Sequence, residues 1–395
     1  MGTNLDGAVG GGDHASGLTE GVPEAELVPL PGCRVVAVGA AVPAPVLANR
    51  QLTAFLETSE EWITTRTGIR ERRVAPAGTS VADLGLRAAE VALAAAGLPA
   101  AGIDAVIGTS SSADVTFPSV ACRIQARLGC PPGVAFDLQA ACTGMVYGVG
   151  VAQALVRTGA ARRVLVVGSE IFTRVVDWRD RGTAVLFGDA AGAIVVGPAG
   201  DPGSEILAVR LGADGRGADS LVAAPVGPGS MPDPLAPGRP APPRSLGRAV
   251  VMNGREVFRF STQVLERLVR ELAAAAEIAP ADIELVVPHQ ANSRILATAA
   301  GRLGLPIDRF VLNVDRYGNT SSASVPLALV EAAAAGRCRT GAPIGLVAFG
   351  GGLTWGGILL RWGDTATGLD DARHPGGDRE AVPAGARDGR EATGG

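Results

Sequence analysis

Short apolar runs bounded by Gly, Pro and charged residues recur along this chain, and Ala- and Leu-rich stretches with helical spacing stand between them. Residues 34–39 (RVVAVG), 104–108, 134–138 and 163–168 (RVLVVG) read as buried strands, being too short for helices and closed off by turn residues. Residues 80–97 and 145–159 read as helices. Strands that alternate with helices in this way predict an α/β fold.

Two segments share a plan. VAFDLQAACTGMVYGVGVAQALVRTGAARRVLVVGSE (134–170) and FVLNVDRYGNTSSASVPLALVEAAAAGRCRTGAPIGLVAFG (310–350) both run strand, polar loop, Ala-rich helix, Gly exit, strand. Cys142 stands 17 residues before Gly159, and Asn319 stands 17 before Gly336, which pairs the two as equivalents in strand-to-helix loops. AAGLPAAGIDAVIGTSSS (95–112) likewise parallels AAEIAPADIELVVPHQAN (275–292), and aligning Ile103 with Ile283 sets His289 opposite Thr109. Such a period predicts a duplicated α/β unit. It also puts three polar residues past the carboxyl ends of strands, where open parallel sheets hold their ligands. The chain divides accordingly into an N-terminal half, 31–205, and a C-terminal half, 206–362. Residues 225–243 hold eight prolines and are expected to form a surface loop, since they suit neither a helix nor a central strand. Residues 1–30 and 363–395 lack periodicity and are expected to be mobile extensions.

Composition narrows the function classes. A chain of 395 residues, 47% hydrophobic with mean hydropathy +0.26, supports a large core. A net charge of −4 offers no basic field for nucleic acid or an anionic membrane. The five cysteines (33, 122, 130, 142 and 338) are odd in number, scattered and without metal spacing, so a reduced compartment and no metal site are expected. Asp6, Asp13, Glu20, Glu24 and Glu26 interrupt the first residues, which leaves no signal-peptide run and points to the cytoplasm.

Cys142 follows an apolar strand and precedes Gly144 and an apolar helix, so its sulfur is expected at a helix amino terminus, where the dipole favours thiolate. That is the setting of a nucleophile, whereas the other four cysteines read as small buried hydrophobes. His289 ends the apolar run VVPHQAN and is the only histidine outside the two terminal extensions. Asn319, in DRYGNTSSAS, would alone be a turn residue before a Ser-capped helix. The glycines of AFGGGLTWGG (348–357) allow close backbone approach but do not open a helix as a dinucleotide fingerprint would. FGDAAGA (187–193) reads as a tight, packed turn, and WITTRTGIRERR, by itself, as a solvated helix-to-loop segment.

TSEEWITTRTGIRERR (58–73), AACTG around Cys142, DRGT (180–183), FGDAAGA, VPHQANSRI (287–295), DRYGNTSSASVP (315–326) and FGGGLTWG (349–356) resemble, in order, the motifs of the β-ketoacyl-acyl carrier protein synthase III family of the thiolase superfamily. The resemblance spans roughly residues 33–362. It implies a five-layered αβαβα thiolase-like fold of two duplicated halves, assembled as a homodimer. It also implies a triad: Cys142 as acylated nucleophile, with His289 and Asn319 as hydrogen-bond donors to a thioester carbonyl. The N–H groups of Cys142 and Gly351 would form the oxyanion hole. CoA would be held by Thr58, Trp62, Arg66, Arg181, Asn292 and Arg294, with Trp62 on adenine and the arginines on phosphates. Phe117, Met252 and Phe349 would line the acyl pocket, Phe117 from the partner subunit, and Arg294 would also meet an acidic carrier protein.

The implied reaction moves an acyl group from acyl-CoA to Cys142 and condenses it with malonyl-acyl carrier protein after decarboxylation, to start a fatty acid or polyketide. CoA thioesters are then substrates, and no cofactor is called for. Ala190 departs from the family's usual Gly, and the Pro-rich loop is long. Two other readings stay open: acyl transfer from Cys142 to a hydroxyl or amine, and a non-catalytic partner subunit, against which the presence of Cys142 argues.

Overall fold

The computed structural model describes residues 32–200, 203–226 and 247–371. In chain order the main strands are β1 (Cys33–Val42), β2 (Ala105–Thr109), β3 (Val134–Asp137), β4 (Val164–Ile171), β5 (Asp189–Pro198), β6 (Glu205–Ala213), β7 (Leu285–Pro288), β8 (Pro343–Gly350), β9 (Thr354–Arg361) and β10 (Ala366–Asp371). The long helices are α1 (Val81–Ala95), α2 (Val120–Leu128), α3 (Gly144–Arg157), α4 (Gly254–Ala275), α5 (Ser293–Leu303) and α6 (Ser324–Ala334). The four strands and two helices expected from the apolar pattern are present as β1 to β4, α1 and α3, but β3, expected to be buried, lies at the edge of its sheet with Val134 and Asp137 exposed.

One sheet runs β10-β1-β5-β4-β2-β3, the other β7-β8-β9-β6. Strands β2, β3 and β4 are mutually parallel, and β5 runs against both of its neighbours. α3 and α6 lie between the sheets, where Val149, Ala152, Leu327 and Leu329 pack with Val166, Ile194, Leu346 and Ile358. A helix covered on both sides has to be apolar nearly all round, and α6 (SVPLALVEAAA) is. α1 and α2 cover the outer face of the first sheet through Leu84, Ala88, Val120 and Ile124. α4 and α5 cover the second through Leu268, Leu272 and Leu296. The order of layers is αβαβα, the thiolase-like arrangement.

The duplication is visible in the backbone. Ala141 (φ 48°) and Ser321 (φ 49°), and Gly97 (φ 60°) and Glu277 (φ 57°), are matched left-handed positions. Both pairs are separated by 180 residues, as are Ile103 and Ile283. That spacing corrects the pairing of Cys142 with Asn319: the loops are equivalent, but Cys142 corresponds to Ser322 and Asn319 to Gln139. The 17-residue match arose because α6 has 11 residues where α3 has 14, which brings Gly336 closer to its loop.

Three other expectations are corrected. Residues 366–371, placed in a mobile tail, form β10 and pair in parallel with Ala37–Val42 of β1. Arg73 and Arg87 anchor that strand through Asp371 and Asp370. Arg72 and Arg73, read as solvated, are fully buried; Arg72 donates to Leu47 O, Asn49 Oδ1 and Val185 O. Residues 189–193, read as a turn, open β5, with the Asp189 carboxylate accepting from Ala75 N, Thr173 N and Thr173 Oγ1. The expectations for residues 1–30, for most of the Pro-rich segment and for 372–395 lie outside the described residues.

Candidate active site

Cys142 sits in the one-turn segment Ala141–Thr143 that leads into α3. The left-handed Ala141 bends the chain between β3 and the helix, and the end of β8 crosses directly over the turn. A side chain at Gly350 would place its Cβ 2.9 Å from Cys142 N and 3.1 Å from Cys142 Cβ, so only glycine fits there. Thr143 Oγ1 lies 2.9 Å from Thr354 Oγ1, which donates to Gly351 O at 3.0 Å. The cysteine turn and the glycine loop are thereby joined across the site.

His289 follows β7 and extends its ladder by donating its N–H to Val347 O at 2.7 Å. Its ring meets Phe349 edge-on at 5.3 Å, and Nδ1 lies 2.6 Å from Ser324 Oγ. Ser324 Oγ is also 2.8 Å from Ser321 O, and its single proton can serve only one of the two. Asn319 is fixed by backbone bonds to Leu186 and Gly188, and its Oδ1 accepts from Ser321 N at 2.9 Å, leaving Nδ2 as its available donor. The three residues expected from the sequence thus meet around Ser321 and Phe349–Gly350. Their exposures are 5% for Cys142, 1% for His289 and 7% for Asn319.

Burial sets the protonation states. It holds His289 neutral by lowering its pKa to about 3. It also pushes the Cys142 thiol up to about 12; Ser321 beside the sulfur opposes the rise, and the negative charge of Glu170 adds to it. The thiolate expected at a helix amino terminus is therefore not the resting form: desolvation outweighs the dipole. No disulfide joins any of the five cysteines; Cys33 is buried, and Cys122, Cys130 and Cys338 are half-buried.

The residues expected to hold CoA form a second cluster. The helix Glu60–Thr67 is capped by Ser59 and carries Trp62 and Arg66. Arg181 stacks over Trp62 at 4.9 Å and donates to Glu57 O. Asn292 donates to Arg66 O at 3.0 Å and caps α5, and Arg294 lies over Phe258. Thr58 Oγ1 is buried without a hydrogen-bond partner. Of the acyl-pocket candidates, Phe349 is buried against His289. Met252 pairs with Leu221, whose carbonyl approaches Gly351. Phe117 stands apart, 84% exposed.

Three residues of the site escaped the sequence reading: Ser324, Ser321 and Glu170. Ser321 and Ser324 were signalled only by the hydroxyl run TSSAS (320–324), and nothing local marked Glu170.

A cysteine at a strand-to-helix turn, a histidine and an asparagine, all buried around Ser321 and Phe349–Gly350 of a thiolase-like fold, suit an acyl-transferring enzyme. Residues 136–215 match the model of 3-oxoacyl-[acyl-carrier-protein] synthase III, and residues 273–362 match its C-terminal model. Beta-ketoacyl-[acyl-carrier-protein] synthase III of Roseiflexus sp. (strain RS-1) is 50% identical over 327 residues, 82% of this chain and 96% of that protein. The solved synthase III of Thermus thermophilus is 46% identical with a TM-score of 0.76, covering 84% of this chain and 99% of its own. The priming beta-ketosynthase of the R1128 polyketide pathway is 37% identical with a TM-score of 0.75, covering 86% and 98%. The chain belongs to the β-ketoacyl-acyl carrier protein synthase III family, and is a condensing enzyme of the acyltransferase class.

Proposed function

We propose that Cys142 takes an acyl group from acyl-CoA and that the acyl-enzyme is attacked by the carbanion malonyl-acyl carrier protein yields on losing CO2, which starts a fatty acid or polyketide chain. The observation that carries this reading is that His289 and Asn319 each use one polar atom within the protein and keep another, Nε2 and Nδ2, for the site. Ser324 donates to Nδ1 in this reading, so Nε2 holds the ring proton and donates to the malonyl thioester carbonyl beside Asn319. Both donors are neutral, so they stabilise the enolate without readily protonating it. Each such donor lowers the barrier by about 2.7–4 kcal/mol. Cys142 N–H and Gly351 N–H serve the tetrahedral intermediates, with Thr354 holding the two loops together.

Trp62 would grip the adenine of CoA, with Arg66, Arg181, Asn292, Arg294 and Thr58 as its other contacts; the stacking of Arg181 over Trp62 and the bond of Asn292 to Arg66 O support this reading. A homodimer accounts for Phe117, an aromatic otherwise left in water, which the partner's acyl pocket would cover. Sulfur chemistry and decarboxylation supply the whole reaction, so neither metal nor redox cofactor is required. Residence in the cytoplasm fits a chain whose cysteines form no disulfide. Among the described residues no helix is long and apolar enough to cross a membrane.

Intact-mass spectrometry tests the reading: the enzyme and Cys142→Ala are mixed with a panel of short acyl-CoAs, then with malonyl-acyl carrier protein. An adduct absent from the variant and discharged as a β-ketoacyl thioester is expected. An adduct that malonyl-acyl carrier protein never discharges would replace condensation by transfer to a hydroxyl or amine.

A further inference from the structure

Glu170 is fully buried at the end of β4, and among the described residues no cation pairs with it. Its carboxylate accepts from Ser112 Oγ at 2.6 Å, Ser322 Oγ at 2.8 Å, Ser111 N at 3.1 Å and Ser110 Oγ at 3.3 Å. These donors come from the loop after β2 and from the turn that enters α6. The negative charge of Glu170 acts on the Cys142 thiol, adding to the rise that burial causes. Ser321 Oγ is buried against both, and it makes no hydrogen bond of full geometry with either. The loop is held rigidly there: Asn319 Oδ1 takes Ser321 N–H, and Ser322 Oγ is on Glu170.

We propose that Glu170 is the acceptor of the Cys142 proton, reached through the Ser321 hydroxyl, and that it returns the proton later in the same cycle. This rests on the condensing reaction above. In acylation the Cys142 S–H proton passes to Ser321 Oγ as the Ser321 proton passes to Glu170. The S–C bond forms, the bond to the CoA sulfur breaks, and the departing CoA thiolate takes a proton from solvent. In condensation the carbanion attacks the acyl group, Cys142 leaves as thiolate, and the proton comes back from Glu170 through Ser321. One proton is consumed overall, that taken up by CoA, as decarboxylative condensation requires. The buried pair holds one negative charge before acylation and after condensation and none while Cys142 is acylated, so it never holds two, and two anions in so dry a site are what burial most disfavours. Glu170 acts through Ser321 and is in this sense a positioning group for the proton.

The test is the rate of Cys142 alkylation by iodoacetamide against pH, in the full-length protein, its Glu170→Gln, Glu170→Asp and Ser321→Ala variants, alongside acylation by acetyl-CoA. Internal transfer makes the thiolate without bulk base, so alkylation of the wild type is expected to be nearly flat across neutral pH. In Glu170→Gln and Ser321→Ala it should climb about tenfold per pH unit, with Glu170→Asp restoring the flat profile. Acetylation should slow by about 100-fold in Glu170→Gln. Faster alkylation of Glu170→Gln at every pH, with the wild-type slope, would overturn the proposal by showing that Glu170 only repels the thiolate. Ser321→Ala carries the same test should Glu170→Gln not fold. The alkylation profile needs no acyl donor, so the proposal fails or stands separately from the condensing reading.

Discussion

Entering α3, the chain passes Ala141 at φ 48° and presents Cys142; entering α6, it passes Ser321 at φ 49° and presents Ser322. The backbone device is the same in both halves, and both helices behind it are apolar and sandwiched between sheets. The difference is in the residues on the turn. The first carries a sulfur beneath Gly350, with small neighbours. The second carries Ser321, Ser322 and Ser324: the Ser321 N–H holds Asn319, the Ser322 hydroxyl donates to Glu170 and the Ser324 hydroxyl meets His289. A duplicated loop has been divided between a nucleophile and the groups that stabilise charge around it.

Damage confined to the first loop tests the division most severely. Gly350→Ala puts a methyl 2.9 Å from Cys142 N, where backbone must shift. It is expected to cost about 1–3 kcal/mol in urea unfolding and to slow acylation about 100-fold, because the nucleophile is displaced. Gly215→Ala, with open space around it, is the control and should change neither.

The second loop reports through pH. An unfolded imidazole takes a proton below about 6.5, whereas folded His289 does so only near 3. Between these values the unfolded state binds more protons, so this contribution is complete above 6.5 and is lost as the pH falls toward 3. Asp189, raised from 3.8 to about 6 by burial, acts oppositely: its contribution is full below 3.8 and fades as the pH rises through 6. Urea unfolding of His289→Asn against wild type separates them. The histidine should account for about 2 kcal/mol of the loss between pH 7 and 5, absent from the variant.

The smallest effect sharpens the equivalence itself. A left-handed non-glycine residue costs roughly 1–2 kcal/mol, so Ala141→Gly should raise stability by up to about 1 kcal/mol with acylation retained. A loss of stability there would mean that the turn is not strained as its φ indicates.

Much of this was legible in the sequence. Val-rich runs closed by Gly and Pro marked β1 and β4, and the repeat brought Cys142, His289 and Asn319 to strand ends. What was not legible depends on contacts between distant residues. The segment ATGLDD becomes β10 because Asp370 and Asp371 find Arg87 and Arg73, nearly 300 positions away. Arg72 and Arg73 look solvated in RERR, yet are buried among carbonyls that no local pattern announces. Residue-level equivalence was hidden by helices of unequal length in Ala-rich sequence. The thiol's protonation depends on how deeply the turn is buried, which a helix-terminus argument does not contain.

The division of labour is tested most directly by measuring, in parallel, acyl-adduct formation from acyl-CoA and CO2 release from malonyl-acyl carrier protein. Cys142→Ala should form no adduct and still release CO2, while His289→Ala and Asn319→Ala should form adduct and lose CO2 release by about 100- to 1,000-fold. Loss of both activities in all three variants would contradict the account, because the two loops would then act as one unit.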